Sequence, residues 1–271
     1  MPVRGLDPAA PDPTAGTRAV RGAAFLLADC KMIQHQPTST RHQPHTTQLH
    51  FGDLCTLIVS EGRLSGRDAT MDVESTDFYK ETAMKPQKEW DDAKIRAARL
   101  DYLKRCADPE RHLLGPRQER FIEAAVRASA AAGRPWQLFG SQTVMAPLIA
   151  PRLLETLPLQ PAILRSVCRG ALAVGTSDKL AGLEIARQAR QYLAMGKYRV
   201  PMNPASWDGF SDDRERVLAA LTCVPGTNPV VLAGDSHNAW ASEIFKADGS
   251  RAAVEFAGPA VTAIGAFEAS L

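Results

Sequence analysis

The sequence lacks an apolar run long enough to cross a membrane, so it predicts no membrane segment. It also lacks a charge bias: the formal net charge is +2 and no basic stripe is present, which argues against a nucleic-acid surface. Residues 1–7 contain no basic region followed by an apolar core, so they predict no signal peptide and a cytoplasmic location. With 271 residues, 45% hydrophobic and 23% charged, the chain is typical of a globular protein with one large domain or two small ones.

Disulfide bonds are not expected. The five cysteines are odd in number, widely spaced and without a Cys-x-x-Cys motif. This pattern predicts reduced thiols rather than a disulfide framework, and we interpret them as small core residues. They are Cys30, Cys55, Cys106, Cys168 and Cys223.

Residues 1–50 differ in composition from the rest of the chain. Prolines and four of the six histidines concentrate there, with one short apolar run at residues 23–28. This composition is typical of turns and linkers, so we expect an irregular, poorly ordered segment before a folded portion over residues 51–271. The four histidines could bind zinc, but they have no cysteine pair or stable scaffold, and a solvated loop is favoured. These histidines are His35, His42, His45 and His50.

Hydrophobic periodicity in residues 51–271 predicts alternating strands and helices. Strands are expected at residues 51–59 and 136–139, before Gly234, and at residues 252–256. Helices are expected at residues 87–106, from Gly115-Pro116 to Gly133, at residues 178–195 and at residues 212–222. Residues 60–85 are expected to form a loop. Helices that alternate with strands across short loops predict an α/β layered fold.

The most informative motif lies near the C-terminus. An apolar stretch at residues 229–233 ends at Gly234 and is followed by Asp235 and His237. Buried parallel strands deliver polar groups to a site at their carboxyl ends in this way. In an extended backbone the two side chains would point to the same side, and an Asp-x-His pair suits zinc, iron or manganese. The alternative is that Asp235 caps a loop and His237 is a hydrogen-bonded buried histidine.

A catalytic metal needs further ligands, which must come from other strand ends. The candidates by position are Asp53, Glu61 and the loop at residues 140–142.

The same motif permits a serine-hydrolase interpretation, because Gly-Asp-Ser occurs in one class of lipases and esterases. A Ser236 nucleophile would need a histidine base. That class supplies the histidine well downstream, whereas no histidine follows His237 here. A serine esterase therefore requires an upstream histidine and is kept as an alternative.

Four stretches together resemble the C-terminal part of PhoD-type alkaline phosphatases, members of the calcineurin-like metallophosphoesterase superfamily. The first is a strand followed by Glu61-Gly-Arg63, and the second is the helix and strand within residues 114–142. The third is Asn203-Pro-Ala-Ser-Trp-Asp-Gly-Phe210, and the fourth is Val231-Leu-Ala-Gly-Asp-Ser-His237 with the strand after it. The stretches occur in the family's order over residues 51–271.

The resemblance implies an α/β/β/α sandwich, with two facing sheets, outer helices and a dinuclear metal site between strand ends. It implies hydrolysis of phosphomonoesters or phosphodiesters with bound iron and calcium. Asp235 and His237 match the family's metal-binding motif. Many members are exported to the periplasm or the exterior, which contrasts with the cytoplasmic location expected from residues 1–7.

The chain departs from the family in several respects. The family's early metal motifs would precede residue 1, and residues 20–48 fit the family poorly. Gly62 stands where threonine is usual, and Phe210 where tyrosine is usual. We therefore expect an incomplete sandwich with its first half missing, whose exposed sheet edges could allow self-association. An inactive remnant or binding fragment is the alternative to an active phosphatase.

Overall fold

The structure is a computed structural model that describes residues 46–63, 66–150, 152, 179–236 and 238–259. These residues all belong to one structural unit, residues 43–271. The strands in the described ranges are β1 (Thr47–Phe51), β2 (Cys55–Val59), β3 (Trp136–Gly140), β4 (Asn228–Ala233), β5 (Trp240–Phe245) and β6 (Arg251–Ala257). The α-helices there are α1 (Asp77–Thr82), α2 (Asp92–Cys106), α3 (Pro116–Ala131), α4 (Lys179–Tyr198) and α5 (Ser211–Leu221), with short 3-10 turns at Gln87–Glu89 and Trp207–Gly209.

The strands form one six-stranded sheet in the order β1-β2-β3-β4-β6-β5. Neighbours among β2, β3, β4 and β6 are parallel, whereas β1 and β5 are antiparallel to β2 and β6 at the two edges. Parallel strands covered by helices confirm the predicted α/β class. The described residues contain this one sheet, so the second sheet of the predicted sandwich is not among them. Because the central strands are parallel, the segments that follow β2, β3 and β4 lie at the same edge of the sheet.

The main core lies on one face of this sheet, under α3 and α5. Ile58, Phe139 and Val231 are opposite one another on adjacent strands and are completely buried. Their helical partners include Ile122 and Leu218, also completely buried. Burying each such side chain stabilises the fold by about 1.5–3 kcal/mol, so this row fixes the register of the central strands.

The opposite face of the sheet is apolar but partly open. Leu232 and Phe256 are paired across β4 and β6 and remain 40% and 54% exposed, and Trp136 is 44% exposed. Adjacent residues of a strand point to opposite faces, so these side chains cannot join the main core. That the fold is incomplete, and that its exposed sheet edges allow self-association, stay predictions.

A second core joins α1, α2 and α4. Phe78, Tyr102 and Tyr198 are buried together. The centre of the Phe78 ring lies 6.0 Å from that of Tyr102 and 6.2 Å from that of Tyr198. Thr76 caps α1, because its hydroxyl accepts a hydrogen bond from the Tyr79 N–H at 3.2 Å. The helix α1 was not predicted, since six residues within a polar stretch carry too little periodicity to distinguish from a loop.

Two predicted boundaries were wrong. Residues 51–59 are not one strand: Gly52, with φ of 56°, turns the chain so that Phe51 pairs with Cys55 in a β1–β2 hairpin. Strand β1 also begins at Thr47, inside the segment expected to be irregular. The remainder of that segment, including His35, His42 and His45, lies outside the described residues, and its disorder stays a prediction.

The remaining predicted elements are confirmed within a few residues. Helix α3 begins at Pro116, and Gly133 beyond its end has a φ of 74° as expected for a left-handed cap. Cys55, Cys106 and Cys223 are free thiols, and Cys30 and Cys168 lie outside the described residues. In the part of the chain that the structure describes, no helix is both long and apolar enough to span a membrane.

Candidate functional site

Three segments meet where the parallel strands end. Glu61 follows β2, Ser141 follows β3 and Asp235 follows β4. Pairing with β4 continues one residue past the end of β3, since the Ser141 N–H donates to the Leu232 carbonyl at 2.9 Å. Two of the three predicted additional sources of ligands therefore share the sheet edge with Asp235. We call this edge the strand-end site.

Asp53 does not belong to the strand-end site, and its prediction as a ligand was wrong. It lies in the turn between β1 and β2, at the amino end of β2. The sequence pattern places Asp53 near the start of a single strand at residues 51–59, whereas the groups of the strand-end site follow the ends of their strands.

Asp235 carries the accessible carboxylate of the strand-end site. Its φ is 68°, a left-handed conformation that Asp tolerates better than most residues. The backbone is therefore not extended here, and the argument that two alternating side chains share one side does not hold. Asp235 forms an ion pair with Arg63, in which the side chains are 39% and 44% exposed, respectively. His237 lies outside the described residues, so its role as a ligand stays a prediction.

Glu61 is buried beside this ion pair, and its loop is fixed by a glutamine of α3. The Glu61 N–H donates to Gln118 Oε1 at 2.9 Å, and Gln118 Nε2 donates back to the Glu61 carbonyl at 2.6 Å. Gln118 is completely buried, so both amide atoms must find partners there. The Glu61 carboxylate accepts from the Arg63 N–H at 2.6 Å, which orients the segment carrying the Arg63 guanidinium.

The loop after β3 supports the site through hydrogen bonds, and its role as a source of ligands stays a prediction. Gln142 Oε1 accepts from the Gly62 N–H at 2.8 Å. Ser141 Oγ donates to the Thr143 carbonyl at 2.7 Å and accepts from Trp207 Nε1 at 3.0 Å. Trp207 belongs to the Trp-Asp-Gly stretch, so this motif stabilises the loop through the hydrogen bond to Ser141. Sequence reasoning missed Gln118 as a positioning residue, since a single glutamine on an amphipathic helix gives no distinguishing signal.

The geometry of Ser236 disfavours a serine nucleophile. Ser236 Oγ donates to the Asn238 carbonyl at 3.1 Å and accepts from Trp240 Nε1 at 3.0 Å. Of the two histidines in the described ranges, His50 contacts Thr56 and His112 lies in a separate cluster near α5. A nucleophilic serine needs a histidine to take its proton, and neither of these histidines bonds Ser236.

A second group of titratable side chains, the Asp213 cluster, consists of His112, Glu119, Asp213 and Arg216. Potential ligand atoms of the first three lie within 4.8 Å of one another, which makes them a possible metal-binding group by distance. Within the described part of the chain, Asp235 does not belong to a possible metal-binding group of this kind. The sequence did not predict it, because its members lie far apart in the chain.

The Asp213 cluster already contains its own cation. Arg216 Nη2 lies 3.0 Å from His112 Nδ1 and 3.2 Å from Asp213 Oδ1, and Arg216 Nε donates to Glu119 Oε2 at 3.2 Å. A metal ion would have to displace this guanidinium, so the donor set fits an arginine better than a metal.

Burial shapes the environment of two carboxylates in the cluster, Asp213 and Glu119. The fully buried Asp213 accepts N–H bonds from Leu113 at 2.6 Å and Leu114 at 3.0 Å. Burial, with the neighbouring Asp213, raises the pKa of Glu119 to about 7. Through its hydrogen bonds with Leu113 and Leu114, Asp213 anchors the segment before α3 to α5.

Comparison with known proteins agrees with the resemblance. The profile of the family described as PhoD-like phosphatase matches residues 31–271, so the chain belongs to that family. The match begins upstream of residue 51, where the sequence motifs placed its start. A solved structure described as "Structure of PhoD" has 20% sequence identity and a TM-score of 0.47, over 86% of this chain and 33% of that chain. The chain thus spans about a third of the length of that structure. No curated protein matches the chain.

The family implies bound metal ions, which need accessible anionic ligands. At the strand-end site, Asp235 offers a solvent-reachable carboxylate, a suitable ligand for a multivalent cation. Arg63 occupies it at present, but an exposed ion pair exchanges readily, since such pairs contribute little free energy. A guanidinium would have to be displaced at both places, and Asp235 offers the more accessible carboxylate of the two.

Proposed function

We propose that the chain contributes a strand-end site to a metal-dependent phosphatase acting on phosphate mono- or diesters. The supporting observation is the accessible Asp235 carboxylate at the end of a parallel strand, in a chain of the PhoD-like phosphatase family. Metal ions in such a site polarise phosphoryl oxygens and lower the pKa of a bound water. Iron and calcium are the ions that the resemblance implies.

The residues of this chain take distinct parts in the proposal. Asp235, with His237, holds metal. Arg63, once released from Asp235, is placed to contact the phosphate group, because a guanidinium matches phosphate geometry. Gln118 positions the segment that carries Arg63 through its two hydrogen bonds to Glu61. Such positioning lowers the barrier by holding reacting groups in place.

The test compares two isosteric changes, Asp235→Asn at the strand-end site and Asp53→Asn at the other end of the sheet. Bound metal and hydrolysis of an aryl phosphate are measured on the full chain. We expect Asp235→Asn to lose at least about tenfold in both, since a carboxylate ligand becomes a neutral amide, while Asp53→Asn matches the wild type. Equal metal content and turnover in all three proteins would contradict the proposal.

Two other functions remain distinguishable in the same assay. A folded chain without bound metal and without turnover would support the binding-fragment alternative. Metal-independent hydrolysis of an aryl ester, abolished by Ser236→Ala, would support the serine esterase. We place that alternative last, because the Ser236 hydroxyl is engaged by Asn238 and Trp240.

A further inference from the structure

Five cationic side chains line one cavity of about 430 Å³, formed by α2, the end of α4 and residue 152. Cavities of this volume are typical of sites for small molecules. Leu100 and Tyr198 complete the lining. The cations are Arg96, Arg99, Arg152, Lys197 and Arg199. We call this cavity the basic pocket.

The helix dipole does not account for this concentration of charge. Cations at the carboxyl end of a helix are favoured by the dipole, which covers Lys197 and Arg199 at the end of α4. Arg96 and Arg99, however, lie in the middle of α2 and share one face at helical spacing. Since Arg152 comes from a third segment, separate parts of the chain bring positive charge to one place.

Three of the lining cations, Arg96, Arg99 and Lys197, make contacts within the described part of the pocket. Asp92 accepts from Lys197 Nζ at 2.9 Å and from the Tyr198 hydroxyl, which lowers the pKa of Asp92. Asp92 therefore offsets part of the charge of Lys197 and of Arg96. Arg99 Nε donates to the Tyr198 carbonyl at 2.6 Å, and the Arg96 guanidinium lies 6.0 Å from the Tyr198 ring centre. These two contacts orient the guanidiniums but do not cancel their charge.

Arg199 occupies a backbone position that usually belongs to glycine. Its φ is 55°, and the helix ends with Val200 N–H donating to the Met195 carbonyl at 2.9 Å, the pattern of a Schellman cap. A long β-carbon-bearing side chain is strained there, where glycine would be relaxed. Strain of this kind is more frequent at functional positions than elsewhere. The exposed Arg199 side chain adds charge to the pocket at the expense of helix stability.

We infer that the basic pocket binds a small anion carrying two or more phosphate groups, at a place distinct from the strand-end site. Arginine forms bidentate hydrogen bonds with phosphate, and several arginines around one cavity can engage more than one phosphate group. The ligand chemistry is shared by inorganic oligophosphates and nucleoside polyphosphates. This binding does not depend on hydrolysis at the strand-end site.

The test titrates the full chain with tripolyphosphate, ATP or inorganic phosphate by calorimetry at low and high salt. The variants are Arg96→Ala, Arg199→Gly and their combination, where Arg199→Gly removes the charge and suits the positive φ. The control is Lys94→Ala, which removes an exposed charge from the opposite face of α2. Circular dichroism and thermal unfolding confirm that each variant is folded.

We expect tripolyphosphate to bind more tightly than inorganic phosphate, and binding to weaken with salt. Each single variant should weaken binding roughly tenfold, because a hydrogen bond to a charged group is lost, and the combination should weaken it further. Lys94→Ala should bind like the wild type. Tighter binding of ATP than of tripolyphosphate would identify a nucleotide as the ligand. Equal affinities for the two would identify an oligophosphate.

Absence of tripolyphosphate binding would overturn the inference, as would binding that survives the combined variant. An equal loss in Lys94→Ala would show general charge attraction instead of a site. These outcomes are independent of phosphatase activity, so failure here leaves the strand-end proposal standing, and the reverse also holds.

Discussion

The strand-end site and the Asp213 cluster both place carboxylates beside an arginine, yet they differ in what surrounds the pair. Asp235 and Arg63 are exposed to solvent, and their contact can be replaced by another ligand. Asp213 is completely buried and receives two backbone N–H bonds besides Arg216. Because desolvated charges tolerate no missing partner, the buried group is suited to holding the fold. The exposed group is suited to binding.

The largest effect on stability should come from Asp213→Ala. The change leaves Arg216 without its buried partner and two backbone N–H groups without an acceptor, so we expect a loss of about 3–5 kcal/mol in the free energy of unfolding. Urea unfolding measures it, with Asp101→Ala in an exposed ion pair on α2 as the control. A loss below about 1 kcal/mol would show that Asp213 is not an anchor.

A smaller effect is expected from Gln118→Ala. Gln118 links the two regions, because it bonds the Glu61 backbone and also the carbonyl of Leu114, whose N–H donates to Asp213. Two hydrogen bonds to the Glu61 backbone disappear, and we expect a loss of about 1–3 kcal/mol. Aryl phosphate turnover should also fall, because the segment carrying Arg63 is no longer held. Restoring stability by other substitutions without restoring turnover would separate the positioning role from the structural one. Full turnover in Gln118→Ala would argue against positioning.

The Asp213 cluster should also give the protein a pH-dependent stability. The pKa of Glu119 is raised to about 7 from an ordinary value of 4.5, so the folded state binds more protons between these values. Stability should be greatest below pH 4.5 as far as this residue is concerned, and should fall as pH rises to about 7. Asp208, whose pKa burial also raises to about 7, adds to the same slope.

Glu119→Gln should therefore flatten part of that slope, and Glu110→Gln, at an exposed position, should not. Thermal unfolding across this pH range measures both. An unchanged slope in Glu119→Gln would mean that Glu119 is ionised normally in the folded state.

The smallest effect on stability is expected from breaking the exposed ion pair. A double-mutant cycle of Arg63→Ala and Asp235→Asn should give a coupling free energy within about 1 kcal/mol, since solvent screens the pair. A coupling above about 3 kcal/mol would make the strand-end ion pair structural and would remove the contrast with Asp213.

Local patterns predicted much of the fold. Helix α3 was located by its proline, its apolar spacing and Gly133, and strand β4 by a short apolar run before Gly234. The hairpin at Gly52 and the strand β5 were missed, because short edge strands carry weak periodicity. Asp235 was found because it follows a buried strand directly. Its left-handed backbone was not foreseen, since a residue's dihedral angles depend on the loop that contains it.

By itself, the sequence determined the α/β class, the PhoD-like family motifs and the strand whose end carries Asp235, because each of these depends on neighbouring residues. Tertiary structure decided which strand ends meet. It excluded Asp53 from the strand-end site and placed Glu61 in it. It also assembled the Asp213 cluster and the Gln118 bridge. Asp213 and Leu113 are 100 residues apart in the chain, and Gln118 and Glu61 are 57 residues apart. Such contacts follow from how helices pack on the sheet, and no local pattern of residues encodes that packing.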